Sequence, residues 1–420
     1  MYQEDKMPKH GGLDHTASVL KKGYNFIAET ADHLNTDVFE TRLMGQRMYC
    51  MRGSEAAELF YDESKFQRSG AAPLPVRKTL FGEGGVQGLD DHEHRHRKAM
   101  FMQLRDHMSE ATLRESFVRH LEAAAADWQT QGDIVLYDEI KIVLTRFVCE
   151  WVGVPLPEDE VHKRTEQLAS LFELAGETNL KHFKAWRARS KAEDWIEELV
   201  SEAREHPAEA NQHSPFALFC WHRDPDGALL DKHSVAVEVL NLLRPTVANA
   251  IWVVFAAKAI ADHPHCLDPI RNGDTDACKD FSEEVRRFYP FFPFLVAKVR
   301  HNFAWKEYQF AEGTLTLLDI YGTHHSPREW QEPDRFMPER YQHEAITPYN
   351  FIPQGGGTYH DTHRCAGEWV TKIVLEHSVD FLVNRLSYEL PKQDLSYSMS
   401  EIPSMPASGV KMSNIRLNLS

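Results

Sequence analysis

Nothing in the cysteine pattern suggests a covalent framework. Cys50, Cys149, Cys220, Cys266, Cys278 and Cys365 are scattered without a CxxC spacing, which argues against a disulfide scaffold and a structural zinc site. Positive charge is in deficit: 47 Lys and Arg against 63 Asp and Glu leave a formal net charge of −16, which argues against nucleic acid as the main partner. The stretch MYQEDKMPKHGGLDH lacks the apolar core of a signal peptide, so a cytoplasmic location is expected. Internal repeats and low-complexity linkers are missing too. Residues 1–420 therefore read as one unit.

Long apolar runs are scarce, and the one present is interrupted. EVLNLLRPTVANAIWVVFAAKAIA, Glu238 to Ala261, carries Arg244 and Pro245 side by side. A charge at mid-span and a negative mean hydropathy argue against a membrane anchor. A guanidinium cannot shed its proton to escape burial, so Arg244 needs an anion or a water-lined cavity. Pro245 removes a backbone donor and clashes with the carbonyl four residues earlier, which predicts a kink or opening of the helix. A permanent charge at such a point marks a candidate site.

The periodicity elsewhere predicts a mainly α protein with minor β structure. SVLKKGYNFIAETADHL, EATLRESFVRHLEAAAADWQ, DEIKIVLTRFVCEWVG and HFKAWRARSKAEDWIEELVSEA have helical spacing, and most are too long for strands. DVFETRLMGQRMYCMRG alternates about a glycine like a hairpin, and LVAKVRHNFAWKEYQFAEGTLTLLDIYG reads as strands joined by turns. Small sheets are thus expected near both ends of the chain. A last long helix is expected to begin near Cys365.

That cysteine lies in NFIPQGGGTYHDTHRCAGEWVTKIVLEHSVDFLVNRL, after Gly355 to Gly357. The glycines let backbone approach something flat and bulky, and a sulfur before a helix faces orphan N–H groups that favour thiolate. Metal ligation fits this setting. A buried small residue fits it as well, and so does zinc on His360, His363 and Cys365, although no distant pair of ligands presents itself to complete such a site.

Two further stretches change the balance. EEVRRFYP holds Glu284, Arg287 and Pro290 in an ExxRxxP pattern, and DRFMPERY follows at residues 334–341. ExxR alone is an ordinary helix-face pair. In this order, ExxR, PERY and the HRCAG loop resemble the cytochrome P450 family over most of the chain. That resemblance implies the P450 fold, a large helical lobe plus small β-rich regions around heme b. It implies Cys365 as the axial thiolate, with Glu284 and Arg287 in a structural ion-pair network reaching Arg340.

The departures from that pattern are informative. The separation from Phe351 to Cys365 is longer than in ordinary members, and LLRPTVA occupies the place of the acid–alcohol pair that delivers protons to oxygen. With PQGGG and HRCAGEW, this resembles the bacterial fatty-acid peroxygenase branch, which uses hydrogen peroxide directly and needs no obligatory redox-partner protein. The resemblance implies hydroxylation of long-chain fatty acids at the α (C2) or β (C3) carbon. The substrate carboxylate, paired with Arg244, supplies the acid–base group that the protein lacks. It also implies that LFGEGGVQGLDDHEHRHRKAMF lies over the heme, with His94, Lys98, Arg68, Tyr289 and His363 as partners for the cofactor. Gln87 matches the distal-pocket position where a histidine accompanies terminal-alkene formation in some members and glutamine is typical of hydroxylases. Pro245, Phe81 and Phe291 are expected at the substrate, though aromatics in RFYPFFPFL could equally be plain core. The rivals are a fatty-acid decarboxylase, a reductase-dependent monooxygenase, which the missing acid–alcohol pair disfavours, and a non-catalytic heme sensor.

Overall fold

A computed structural model describes residues 6–175, 180–207 and 214–418. Its axis is the helix Lys232–Asp262, 31 residues long and so about 46 Å from end to end. Asp231 caps it, accepting from the Ser234 N–H at 3.0 Å. A helix apolar on every side must be buried on every side. The helices Leu136–Val152, Leu180–Glu205, Val161–Glu173 and Glu368–Asp380 all pack against it. Its apolar stretch is 94% buried inside the protein, so its hydropathy serves the core.

Pro245 does not end this helix. Helical geometry runs unbroken from Lys232 to Asp262, contrary to the opening expected at the proline. Neighbouring side chains turn back onto the backbone there: Thr246 Oγ1 donates to the Leu242 carbonyl at 2.8 Å, and Asn249 Nδ2 donates to the carbonyls of Pro245 and Thr246. Packing on all sides holds the segment helical despite the missing donor.

The hairpin is present as strands Val38–Leu43 and Gln46–Met51, joined by Met44 and Gly45, both at positive φ as a tight two-residue turn requires. The strands expected near opposite ends of the chain are only partly separate. Gln46–Met51 pairs in parallel with Leu315–Asp319, which pairs antiparallel with Phe294–Val299, and Phe66–Gln67 completes a five-stranded sheet. Ile134–Val135, Leu386–Glu389 and Lys411–Leu417 form a second sheet. At the end of the strand Leu315–Asp319, Asp319 is buried. Its Oδ1 accepts from the Gly322 N–H at 2.7 Å, and its Oδ2 has no partner.

The helix Thr275–Phe288 ties the two regions together. Arg287 donates through Nε and Nη2 to the two carboxylate oxygens of Glu284, at 2.9 and 2.8 Å. Arg340 Nε lies 3.1 Å from Glu284 Oε2. All three side chains are fully buried; Arg340 Nη1 also donates to Glu344 Oε1 at 2.6 Å, and the other guanidinium donors go to carbonyls of His324, Gln331, Glu332, Pro333 and Arg335. This is the network expected from ExxR and PERY.

Candidate heme-thiolate site

The cysteine loop is folded by contacts to itself and to the rest of the protein. Gly355 and Gly357 take positive φ, and a Cβ on Gly356 would lie 2.6 Å from the Pro348 carbonyl. On the protein side the glycines meet Tyr61, Pro348 and Thr362 closely, so the loop has no room for side chains there. The Cys365 N–H donates to the Gln354 carbonyl at 3.0 Å, and helix Glu368–Asp380 begins three residues on.

Burial is the largest influence on the Cys365 thiol and, with the Glu368 charge, pushes it up from its ordinary value. The Gly367 N–H, Lys98 and Arg286 pull it the other way and do not prevail. The Gly367 N–H at the helix start thus favours thiolate, as expected, but burial outweighs it, and a bound metal cation would add the further pull. Zinc on His360, His363 and Cys365 is not assembled. His360 is exposed, and among the described residues the one cluster of potential ligands is Glu63, His94 and His363, without the cysteine.

Helix Asp91–Met102 brings cations beside this loop. Lys98 Nζ donates to the carbonyls of Thr362 and Arg364, the latter at 2.8 Å. His94 is buried and stacks on His363 at 3.7 Å between ring centroids, its Nδ1 without a partner, while His363 Nε2 contacts the Leu89 carbonyl at 2.9 Å. Arg68 lies over the Phe60 ring at 4.3 Å, and no carboxylate among the described residues pairs with it. Burial, then the charges of Lys98 and Arg68, pushes His94 down to about 4; burial brings Lys98 down to about 8 and lowers Arg68. The buried Lys98 and the half-buried Arg68, with an orphaned ring nitrogen beside them, suit the carboxylates of heme. Tyr289 is not part of this cluster. Its contacts are with Phe255, Phe288, Phe336 and Tyr397.

On the central helix, polar residues recur every three positions: Glu238, Asn241 and Arg244 share one face of an otherwise apolar segment. Glu238 is fully buried. Its Oε1 accepts from the Val86 N–H at 2.8 Å and from Arg97 Nη1 at 3.0 Å, and its Oε2 accepts from Asn241 Nδ2 at 3.1 Å. Asn241 Nδ2 also donates to Gln87 Oε1 at 3.2 Å, and Asn241 Oδ1 accepts from Arg244 Nη2 at 3.3 Å. The structure thus brings Gln87 and Arg244 into one network, with Asn241 between them.

Arg244 is 6% exposed, its Nε has no partner, and no carboxylate among the described residues pairs with it. Burial first, then the charge of Arg189, lowers it to about 9, against a small opposing effect of Cys365; it remains a cation at neutral pH. Arg189 is equally buried, paired through Nε with Glu193 at 2.6 Å. Phe81 is half-buried at the end of the turn Arg77–Phe81, next to Gly82, where a Cβ would collide with Arg189 Nη2. Phe291 stacks on Trp252 at 4.6 Å, two helical turns and about 12 Å along the axis from Arg244.

The sequence reading missed Glu238, Asn241, Arg97 and Arg189 around Arg244, and Arg286, Glu368 and Gln354 around Cys365. A signal for two of them was present in the three-residue polar spacing that leads to Arg244. Another was the doubling of ExxR in EEVRR, where Glu283 and Arg286 repeat the pattern one residue earlier.

A cysteine loop, cations fit for propionates and the buried Glu–Arg–Arg network together define a heme-thiolate protein. The family described as Cytochrome P450 matches residues 279–411. The chain belongs to the cytochrome P450 family, whose heme iron is held by a cysteine. Within it, the likeness runs to the CYP152 group, the bacterial fatty-acid peroxygenase branch. The structure of cytochrome P450EX alpha (CYP152N1) with myristic acid matches at 45% identity and a TM-score of 0.94, covering 99% of this chain and 100% of that one. An OleT variant in complex with arachidonic acid matches at 31% identity and a TM-score of 0.95, covering 99% of each. Cytochrome P450 71A8 of Mentha piperita is 22% identical over 242 residues, 52% of this chain and 47% of that protein, so the match spans about half its length.

Proposed function

We propose that the protein is a peroxygenase that uses hydrogen peroxide to hydroxylate long-chain fatty acids at C2, with C3 next. The observation that carries this reading is Arg244, a buried cation whose Nε has no partner and which no carboxylate of the described chain pairs with. Structures similar to this one hold myristic and arachidonic acids, each a long apolar chain ending in a carboxylate.

Heme bound through Cys365 supplies the chemistry that splits the O–O bond of hydrogen peroxide and oxidises a C–H bond, and thiolate ligation favours that cleavage. The chain's residues do the rest. Arg244 grips the substrate carboxylate at two points, offsetting the cost of burying both charges. That carboxylate takes a proton from one peroxide oxygen and returns it to the other, which leaves as water. Tethering the headgroup places C2 and C3 nearest the reacting oxygen, so position alone sets regiochemistry. Gln87, held by Asn241, presents a neutral amide beside this headgroup and does not exchange protons at neutral pH.

Purified protein with peroxide and a long-chain fatty acid should yield hydroxy acid without a reductase or nicotinamide cofactor. Turnover seen only with an electron-transfer partner would overturn the proposal in favour of a reductase-dependent monooxygenase. No turnover under either condition would favour a sensor.

A further inference from the structure

Arg287 serves the buried network described above, but its neighbour Arg286 points elsewhere. Arg286 is 1% exposed; its Nη1 donates to Glu283 Oε2 at 2.5 Å, and its Nη2 donates to Glu368 Oε1 at 2.6 Å and to Gln354 Oε1 at 3.0 Å. The two carboxylates are held in turn, Glu283 by Lys372 at 2.8 Å and Glu368 by Arg364 at 2.7 Å. The guanidinium therefore has one position. Because it carries only donors, the carboxamide of Gln354 has to turn its oxygen toward it.

The NH2 end of that carboxamide then faces the other way. Gln354 Nε2 lies 3.7 Å from Cys365 Sγ and 3.1 Å from Thr371 Oγ1, so its two hydrogens have the sulfur and the hydroxyl as acceptors. The Gln354 carbonyl also accepts the Cys365 N–H, so the same residue holds the cysteine by main chain and faces its sulfur by side chain. A fixed donor at a thiolate withdraws electron density that would otherwise go to the metal.

We propose that Gln354 is a positioning residue for the axial sulfur, a donor that Arg286 keeps turned toward Cys365 Sγ so that the sulfur gives less of its charge to the heme iron. The inference rests on Cys365 as the heme ligand, and it is independent of which substrate is oxidised. Through this chain, Glu283, Arg286 and Glu368 set the electron donation of the sulfur without touching it.

The test uses heme-loaded Gln354→Leu, which removes the donor, and Gln354→Glu, which keeps an acceptor for Arg286 but places no donor at the sulfur. Resonance Raman of the ferric protein, the band of the reduced carbon monoxide complex and a redox titration are read for each. In both variants the iron–sulfur stretch should rise, the carbon monoxide band should move to longer wavelength and the reduction potential should fall. Gln354→Asn, whose amide is one methylene short of the sulfur, should shift in the same direction. An unchanged stretch and potential in heme-loaded Gln354→Leu would overturn the proposal. Loss of heme by all three variants would also overturn it, assigning Gln354 to loop folding alone. A wild-type spectrum without a thiolate signature would count against the ligand assignment instead.

Discussion

Asn241 Oδ1 accepts from Arg244 Nη2 at 3.3 Å, and the amide that makes this contact cannot flip. Its Nδ2 faces the Glu238 carboxylate, an acceptor that an oxygen could not face, while the donor-only guanidinium needs its Oδ1; Gln87 accepts from the same Nδ2. Arg244 thus has a neutral partner that orients it and leaves its charge unanswered.

Arg244→Ala should lose fatty-acid affinity and peroxide-driven turnover together while retaining the thiolate heme spectrum. Arg244→Lys should rescue poorly, because a point charge on a flexible stem does not reproduce a planar two-point grip. Acetate offered with a neutral substrate separates anchoring from acid–base function. If the carboxylate is the proton carrier, oxidation of the neutral substrate switches on; full turnover by the alanine variant would refute the mechanism.

Cys365→Ala should abolish the red-shifted carbon monoxide band of the reduced protein. A wild-type band typical of histidine ligation would sink the assignment of the sulfur.

Mass spectrometry of the products should find mainly 2-hydroxy acid, with 3-hydroxy acid next. Terminal alkene as the dominant product would show that Gln87 does not act as a hydroxylase marker in this pocket.

Glu284→Ala leaves Arg287 and Arg340 buried without their shared carboxylate. Breaking a buried pair in this way costs about 3–5 kcal/mol, so a fall of many degrees in Tm is expected. A Tm near wild type would mean that the carbonyl contacts of the two arginines, with the Glu344 carboxylate on Arg340, suffice.

Asp319 supplies a pH test away from the heme. Burial pushes its carboxyl up to about 7, only partly opposed by the Gly322 N–H. A folded-state pKa above the unfolded one means that the folded form is penalised as the group ionises. Stability should therefore fall as pH rises from about 4 to about 7 and then level off, by roughly 4 kcal/mol in all. Asp319→Asn should remove that slope, gaining in Tm over wild type as pH rises through this window. A Tm difference independent of pH would place the charge on another group.

The parts legible in the sequence were those whose signal is local. A helix too long for a strand, the hairpin about Gly45 and the ExxR, PERY and HRCAG motifs each carry their meaning within a few residues. What was missed depends on distant pairing. Nothing local says that Gln46–Met51 lies beside Leu315–Asp319, so the chain-end sheets read as separate. The continuity of the helix through Pro245 is a packing effect, invisible to a rule about a single residue. The upward push on the Cys365 thiol likewise comes from the tertiary surroundings of the sulfur and from Glu368, which the helix start beside it does not reveal. Asn241 and Gln354 were hidden for a different reason: an amide reads as neutral filler until its two ends are seen to face different partners.

The unanswered charge of Arg244 also bears on folding. A protein that buries a cation without a counter-ion is less stable than one in which the anion is present, so any carboxylate that binds there acts as a folding ligand. Saturation at a hundred times Kd would add about 2.7 kcal/mol to the folded state. Heat resistance and protease resistance of the heme-loaded protein should therefore rise with free fatty acid and not with the corresponding alcohol, tying the amount of surviving enzyme to the supply of what it consumes.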